Sequence, residues 1–164
     1  MNHRPRQPSE FDEKIVQVNR VSKKTKGGNQ IGFSVLVVVG DRKGRVGVAL
    51  GKAPDVLSSI KKGVRKAKKR FITVPIIQNT IPFRIQVKYG AAQVLLKPAP
   101  QGSGIIAGGA VRDVLEVAGI PNIVGKILGS NNQTNNAYAT IKALKQIQDI
   151  SRVKGIELSP FKLK

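Results

Sequence analysis

The sequence predicts an α+β chain made of two small α/β domains in tandem. Three observations lead there. Runs of β-branched residues separated by glycine turns open the chain and run into a basic segment with helical spacing. Composition then changes around Gln78-Asn79-Thr80-Ile81-Pro82. Beyond it a second series follows: strand, turn, strand, glycine loop, helix, strand, helix. A chain of 164 residues can bury about two-thirds of its surface, enough for one ordinary core or two small ones.

Residues 1–10 are polar, carry prolines and show no periodicity, and read as a flexible basic arm. Ile15, Val16, Val18 and Val21 mark a strand over Glu13–Lys24, which the cationic turn Lys23-Lys24-Thr25-Lys26-Gly27-Gly28 interrupts. Ile31–Val39 is rich in β-branched residues, and Gly40-Asp41-Arg42-Lys43-Gly44 is a hairpin loop in which Gly44 supplies a positive φ. Val46–Leu50 returns, giving a three-stranded antiparallel sheet. Pro54 and Asp55 then open a helix, proline suiting the first turn and the carboxylate the positive end of the dipole. Val56, Leu57, Ile60, Val64, Ala67 and Phe71 recur at helical spacing and predict an apolar face against the sheet.

In the second half Phe83–Val87 and Ala92–Lys97 are strands around a Tyr89-Gly90 turn. A helix over Ala110–Ala118, a strand over Ile123–Leu128 and a helix over Gln133–Ile147 follow, the last with Ala137, Ile141, Leu144 and Ile147 as its buried stripe. The expected organisation is an arm (1–10), an N-terminal domain (11–77), a C-terminal βαβ-type two-layer domain (78–150) and a tail (151–164).

Charge narrows the function. Lys and Arg number 29 against 9 Asp and Glu, a formal net charge of +20. Such self-repulsion is best tolerated when a polyanion neutralises it, and nucleic acid is the usual one. A membrane partner is disfavoured, because no long apolar run and no secretory segment is present. The chain has no Cys, and its one His, His3, lies in the arm, so thiol chemistry and disulfides are excluded and no metal site is expected. Aromatics are scarce, so RNA is expected to be held by backbone and shape rather than by base stacking. The few carboxylates are scattered. Asp113 and Glu116 are expected to pair with Arg112 or solvent, and no nucleophile–base–orienter set can be assembled.

GSGIIAGG (Gly102–Gly109) begins as G-x-G-x-x-A, one form of the dinucleotide fingerprint. That site needs a strand running straight into the glycines and an acidic residue about 20 positions on. Pro98 and Pro100 intervene here, and the next strand carries no carboxylate, so no cofactor is expected. The loop reads instead as a close-packed lead-in to a helix. Ile105 and Ile106, two branched aliphatics beside Gly102 and Gly104 that something should cover, point to a protein interface. Gly44-Arg45-Val46-Gly47 matches the KH clamp only by chance, because it sits at a hairpin and not between helices.

Two cationic features are candidate RNA contacts. Arg20, Ser22, Lys23, Lys24, Lys26, Gly27 and Gly28 crowd one loop, where adjacent glycines let backbone amides approach a phosphate. Lys61, Lys62, Arg65, Lys66 and Lys69 line one helix side, with like charges four residues apart that repel unless an anion lies on them. Arg42 and Lys43 of the hairpin and Lys52 before the helix complete the set.

Three strands followed by a basic helix resemble a double-stranded-RNA-binding domain without its first helix. Over more than four-fifths of the chain, VNRVSKKTKGG, FSVLVVVGDRKGRVGVALGKA, GSGIIAGGAVRDVLEVAGI and GSNNQTNNAYATIKAL closely resemble the bacterial-type small-subunit ribosomal protein S-five family. IPFRIQVKYGAAQVLLKPA looks more like the cyanobacterial and plastid versions. The resemblance implies a C-terminal domain of the left-handed βαβ type and a ribosomal protein of a plastid or a bacterial cytoplasm, bound to ribosomal RNA and touching proteins S-four and S-eight. It implies that the Ser22–Gly28 loop reaches the head–body junction near the spectinomycin site. It also places the glycine loop and Arg112 by protein S-four, where accuracy is influenced, and Arg20 at the mRNA entrance. Asn29-Gln30 stands where many members continue with Arg. A free double-stranded-RNA-binding regulator is the alternative that shares these basic features.

Overall fold

The computed structural model describes residues 10–153. The arm up to Ser9 and the tail beyond Val153 lie outside the described residues. β1 (Asp12–Thr25) and β2 (Gly28–Gly40) pair antiparallel along their whole length, joined by the two-residue turn Lys26-Gly27. Lys23 and Lys24, expected in a loop, are therefore strand residues, opposite Gln30 and Asn29. β3 (Arg45–Ala53) pairs with β2, and a short β4 (Ile72–Thr73) adds a fourth strand to the expected three by pairing with Arg45 and Val46. A two-residue strand is too short to leave a periodic trace in sequence.

α1 (Val56–Lys68) starts where expected: the Asp55 carboxylate accepts the Ser58 N–H at 2.8 Å, satisfying one of the orphan donors of the first turn. Its buried face is the expected apolar one in part: Ala67 is buried and Ile60, Val64 and Phe71 pack against the same cluster. Ser59, Gly63 and Ala67 face the sheet, while Leu57 is 71% exposed and Ile60 and Val64 lie on a half-covered flank. Backbone distance is the reason. A Cβ on Gly47 would collide with the Ala67 carbonyl, one on Gly51 with the Ser59 carbonyl, and one on Gly63 with Val37. Helix and sheet approach so closely that only small residues fit between them.

The second sheet contains β5 (Ile85–Tyr89), β6 (Ala92–Pro98), β7 (Ile105–Ile106) and β8 (Ile123–Ile127) in the order β5-β6-β8-β7. β7 runs parallel to β8, and α2 (Gly109–Ala118) makes the crossover between them, the expected βαβ unit. α3 (Gln133–Val153) runs past the expected start of the tail at residue 151. Ala137, Leu144 and Ile147 are buried as expected, with Ile141 packed at their edge.

The two halves share one core. Val35, Val37, Val39 and Ala49 face α1, whereas Leu36, Val38, Val46 and Val48 join the cluster formed by α2, α3 and the second sheet. The first sheet is thus covered on both faces, which is why Val35–Val39 is apolar without alternation. The β2–β3 loop completes the joint: Arg42 N–H donates to the Val117 carbonyl at 3.2 Å and Gly44 N–H to the Ala118 carbonyl at 2.9 Å.

Candidate nucleic-acid interface

The structure brings Lys52 beside the helix residues the sequence singled out. Leu50, Gly51 and Lys52 of β3 line a cleft of about 450 Å³ with Lys62 and Lys66 of α1. β4 pairs only with the beginning of β3, so this part of β3 is an open edge. Lys52 also lines a second cleft, about 340 Å³, with Val21, Ser22, Lys23, Gln30 and Ile31. One lysine therefore joins the hairpin and the helix into a single cationic surface. Lys61, Lys62, Arg65, Lys66 and Lys69 are all exposed, and among the described residues none lies in an ion pair. The i,i+4 repulsion among these five is not relieved by any direct ion pair, Glu13 being paired with Lys68 instead.

The β1–β2 hairpin projects from the sheet, and every residue from Val18 to Ile31 is exposed. Cross-strand register places Arg20, Ser22 and Lys24 on one face of it and Lys23 on the other. The tip is locally closed: Thr25 Oγ1 donates to the Gly28 carbonyl at 2.8 Å, and Gly28 has a φ of 129°, reached with ease only without a Cβ. Lys26 and Gly27 form the exposed turn, and a Cβ on Gly27 or Gly28 would meet open space.

Arg42 and Lys43 sit differently. Their loop is docked on α2, and Arg42 pairs with Asp12 at 2.7 Å, although both basic side chains remain exposed. Asp41 organises this loop, accepting the N–H groups of Lys43 and Arg45 and the Arg45 side chain at 2.8, 3.0 and 2.7 Å. Burial raises the Asp41 pKa, but these hydrogen bonds outweigh it and leave the carboxyl below its ordinary value. Gly44 has the positive φ its place in the turn calls for, 94°.

The glycine loop is open, not close-packed. Gly102, Gly104 and Gly109 have φ of 87°, 69° and 50°, yet a Cβ on any of them would meet nothing within 4 Å. Backbone conformation, not crowding, is what these glycines provide. Strand β7 falls inside the G-x-G-x-x-A stretch, so its first two glycines precede a strand instead of joining a strand to a helix. That is not the phosphate turn of a dinucleotide site. Ile105 turns inward against the core, and Ile106 alone is left outward, 55% exposed. Arg112 is exposed in the first turn of α2. Gly104 N–H donates to Asn122 Oδ1 at 3.1 Å, and Asn122 Nδ2 donates to the Asn79 carbonyl at 3.3 Å, tying the loop to the interdomain segment.

Asn122 was not legible as a positioning residue, since a lone Asn before a strand carries no distinctive spacing. Asp113 and Glu116, expected to pair with Arg112 or solvent, both reach Lys14 of β1 instead, at 2.7 and 2.9 Å. The hydrogen bonds to Asp113 and Glu116 raise the Lys14 pKa, and the bond from Lys14 lowers that of Glu116. The three-residue spacing on α2 shows a carboxylate pair; only the fold supplies its cation.

Two α/β units fused through one core, with a cationic surface running from hairpin to helix, define a two-domain α+β protein with a basic face. Residues 11–75 match the family model for ribosomal protein S5, N-terminal domain, and residues 87–156 match that for ribosomal protein S5, C-terminal domain. The chain belongs to the ribosomal protein S5 family. It is 51% identical over 142 residues to the small ribosomal subunit protein uS5c of Porphyra purpurea, covering 86% of this chain and 82% of that one. It is also 51% identical over 152 residues to the protein of the same name from Spinacia oleracea, covering 90% of this chain but only 49% of that longer one.

Proposed function

We propose that this chain is a structural constituent of the small ribosomal subunit, in a plastid or a bacterium, that holds ribosomal RNA chiefly through phosphate contacts. The carrying observation is the surface on which Lys52 joins the hairpin cleft to the α1 cleft, with Lys23, Lys62 and Lys66 around it. Cations gathered from separate stretches without internal counter-charges favour an extended polyanion over a small ligand. The family and the shared name of the two relatives support the ribosome as the site. The role is binding and shaping, not catalysis, and needs no cofactor and no small-molecule substrate.

The finer reading follows the family resemblance. Arg20 contacts mRNA at the entrance, the Ser22–Gly28 hairpin tip reaches the head–body junction, and proteins S-four and S-eight are neighbours. The open glycine loop, Ile106 and Arg112 form the side toward protein S-four and support translational accuracy. The experiment is sedimentation of an affinity-tagged chain from its native cells. Co-migration with small subunits through a salt wash supports this reading. Recovery only in free or other RNA complexes replaces it with an RNA-binding regulator. Purified chain should also lose rRNA affinity steeply with salt, each phosphate contact adding roughly 0.7–0.9 to the log–log slope.

A further inference from the structure

A third cleft, about 590 Å³, opens between α1 and the start of β1. Its lining shares cations with the phosphate-facing surface but adds an apolar wall and a carboxylate. Ile60 and Val64 form an apolar wall, and Leu57, one turn earlier on the same flank, is 71% exposed. Lys61, Arg65 and Lys69 stand around it, and the Glu13–Lys68 pair closes the rim. Glu13 Oε1 takes Lys68 Nζ at 3.1 Å, which leaves Oε2 able to accept. A phosphate satisfies the cations but gains nothing from the apolar wall and is repelled by Glu13. A nucleobase uses all three features: its ring lies against aliphatic carbon and the Arg65 guanidinium, its N–H edge meets a carboxylate, and its flanking phosphates meet the lysines.

We propose that this cleft receives one unpaired base of the bound RNA, flipped from its helix, with Glu13 accepting an N–H of the exposed pairing edge. The proposal rests on the RNA-binding reading above and deepens it, because α1 would then read an irregularity in the RNA and not only the duplex backbone. Every base presents at least one N–H on that edge, so the site selects for being unpaired more than for base identity.

The test uses the full chain and four RNA hairpins of one sequence: fully paired, with one bulged uridine, with that uridine N3-methylated, and with an abasic residue in its place. The bulged uridine should bind about tenfold tighter than the paired or abasic hairpin, the worth of one charge-assisted hydrogen bond and its contacts. N3-methylation, which removes the only N–H of the base, should abolish most of that gain. Glu13→Ala should make uridine and N3-methyluridine equal without weakening binding to the paired hairpin, since it also releases Lys68. Equal binding of all four hairpins by the unaltered chain would overturn the proposal while leaving the RNA-binding reading intact. Binding to none of them would remove both.

Discussion

Lys14 Nζ lies 2.7 Å from the Asp113 carboxylate and 2.9 Å from that of Glu116, so the first strand is clamped to the first helix of the second domain. Glu116 titrates below its ordinary 4.5, and Asp41 in the neighbouring loop below its ordinary 3.8. A depressed carboxylate adds stability that is present above its unfolded pKa and lost as pH falls through the folded one. Thermal unfolding should therefore occur at progressively lower temperature below about pH 4.5. Lys14→Gln should shrink that acid dependence. Because the clamp is partly exposed, its loss should cost about 1 kcal/mol or less, read as a drop of about 2–4 °C in Tm at neutral pH. An acid profile unchanged by the substitution would show that the clamp contributes nothing.

Gly119 ends α2 with a φ of 77°, and a Cβ there would overlap the Arg42 carbonyl. Gly119→Ala should combine backbone strain with expulsion of the β2–β3 loop from α2, costing about 1–3 kcal/mol or more. Calorimetry and amide exchange at Arg42 and Gly44 check it. Exchange should rise at both, because their N–H groups donate to Val117 and Ala118.

Reversal of Lys62, Lys66 and Lys69 to Glu turns the Arg65/Lys69 repulsion on α1 into attraction, leaves like charges at 61/65 and 62/66, and removes Lys62 and Lys66 from the Lys52 cleft and Lys69 from the α1–β1 cleft. The fold should hold or gain slightly, while rRNA affinity falls and the salt slope decreases by roughly 0.7–0.9 for each phosphate contact removed. Filter binding over a salt series measures both; unchanged affinity would return this face to ordinary solvent exposure.

At the hairpin tip, backbone shape should outweigh any one charge. Gly28→Asp places a side chain at a φ of 129° and adds a negative charge, so subunit assembly and spectinomycin response should both change. Lys24→Gln should have little effect, because Arg20 on the same face and Lys26 at the turn remain. A severe Lys24→Gln with a silent Gly28→Asp would reverse this account.

Gly104→Leu strains a φ of 69° where space is open, so local loop order should suffer more than global stability. Arg112→Leu touches an exposed side chain and should leave Tm unchanged while altering miscoding in ribosomes that carry it. Normal accuracy in that variant would argue against an interface on this side.

The sequence by itself determined the local elements and the sign of the surface. Asp55 placed a helix start, the β-branched run placed β2, and the lysines of α1 faced outward, because capping, strand preference and solvation act within a few residues. The candidate cations of the hairpin and α1 were legible for the same reason. Tertiary structure alone decided what meets what. The run Val35–Val39 hid a first sheet buried on both faces, and Ser59 and Gly63 joined Ala67 on the buried side of α1 because helix and sheet approach nearly backbone to backbone. Lys14 found Asp113 and Glu116, and Lys52 found Lys62 and Lys66, across stretches of chain that no periodicity connects. Contacts between distant segments depend on how whole elements pack, and a hydropathy pattern records only that a side is covered, not by what.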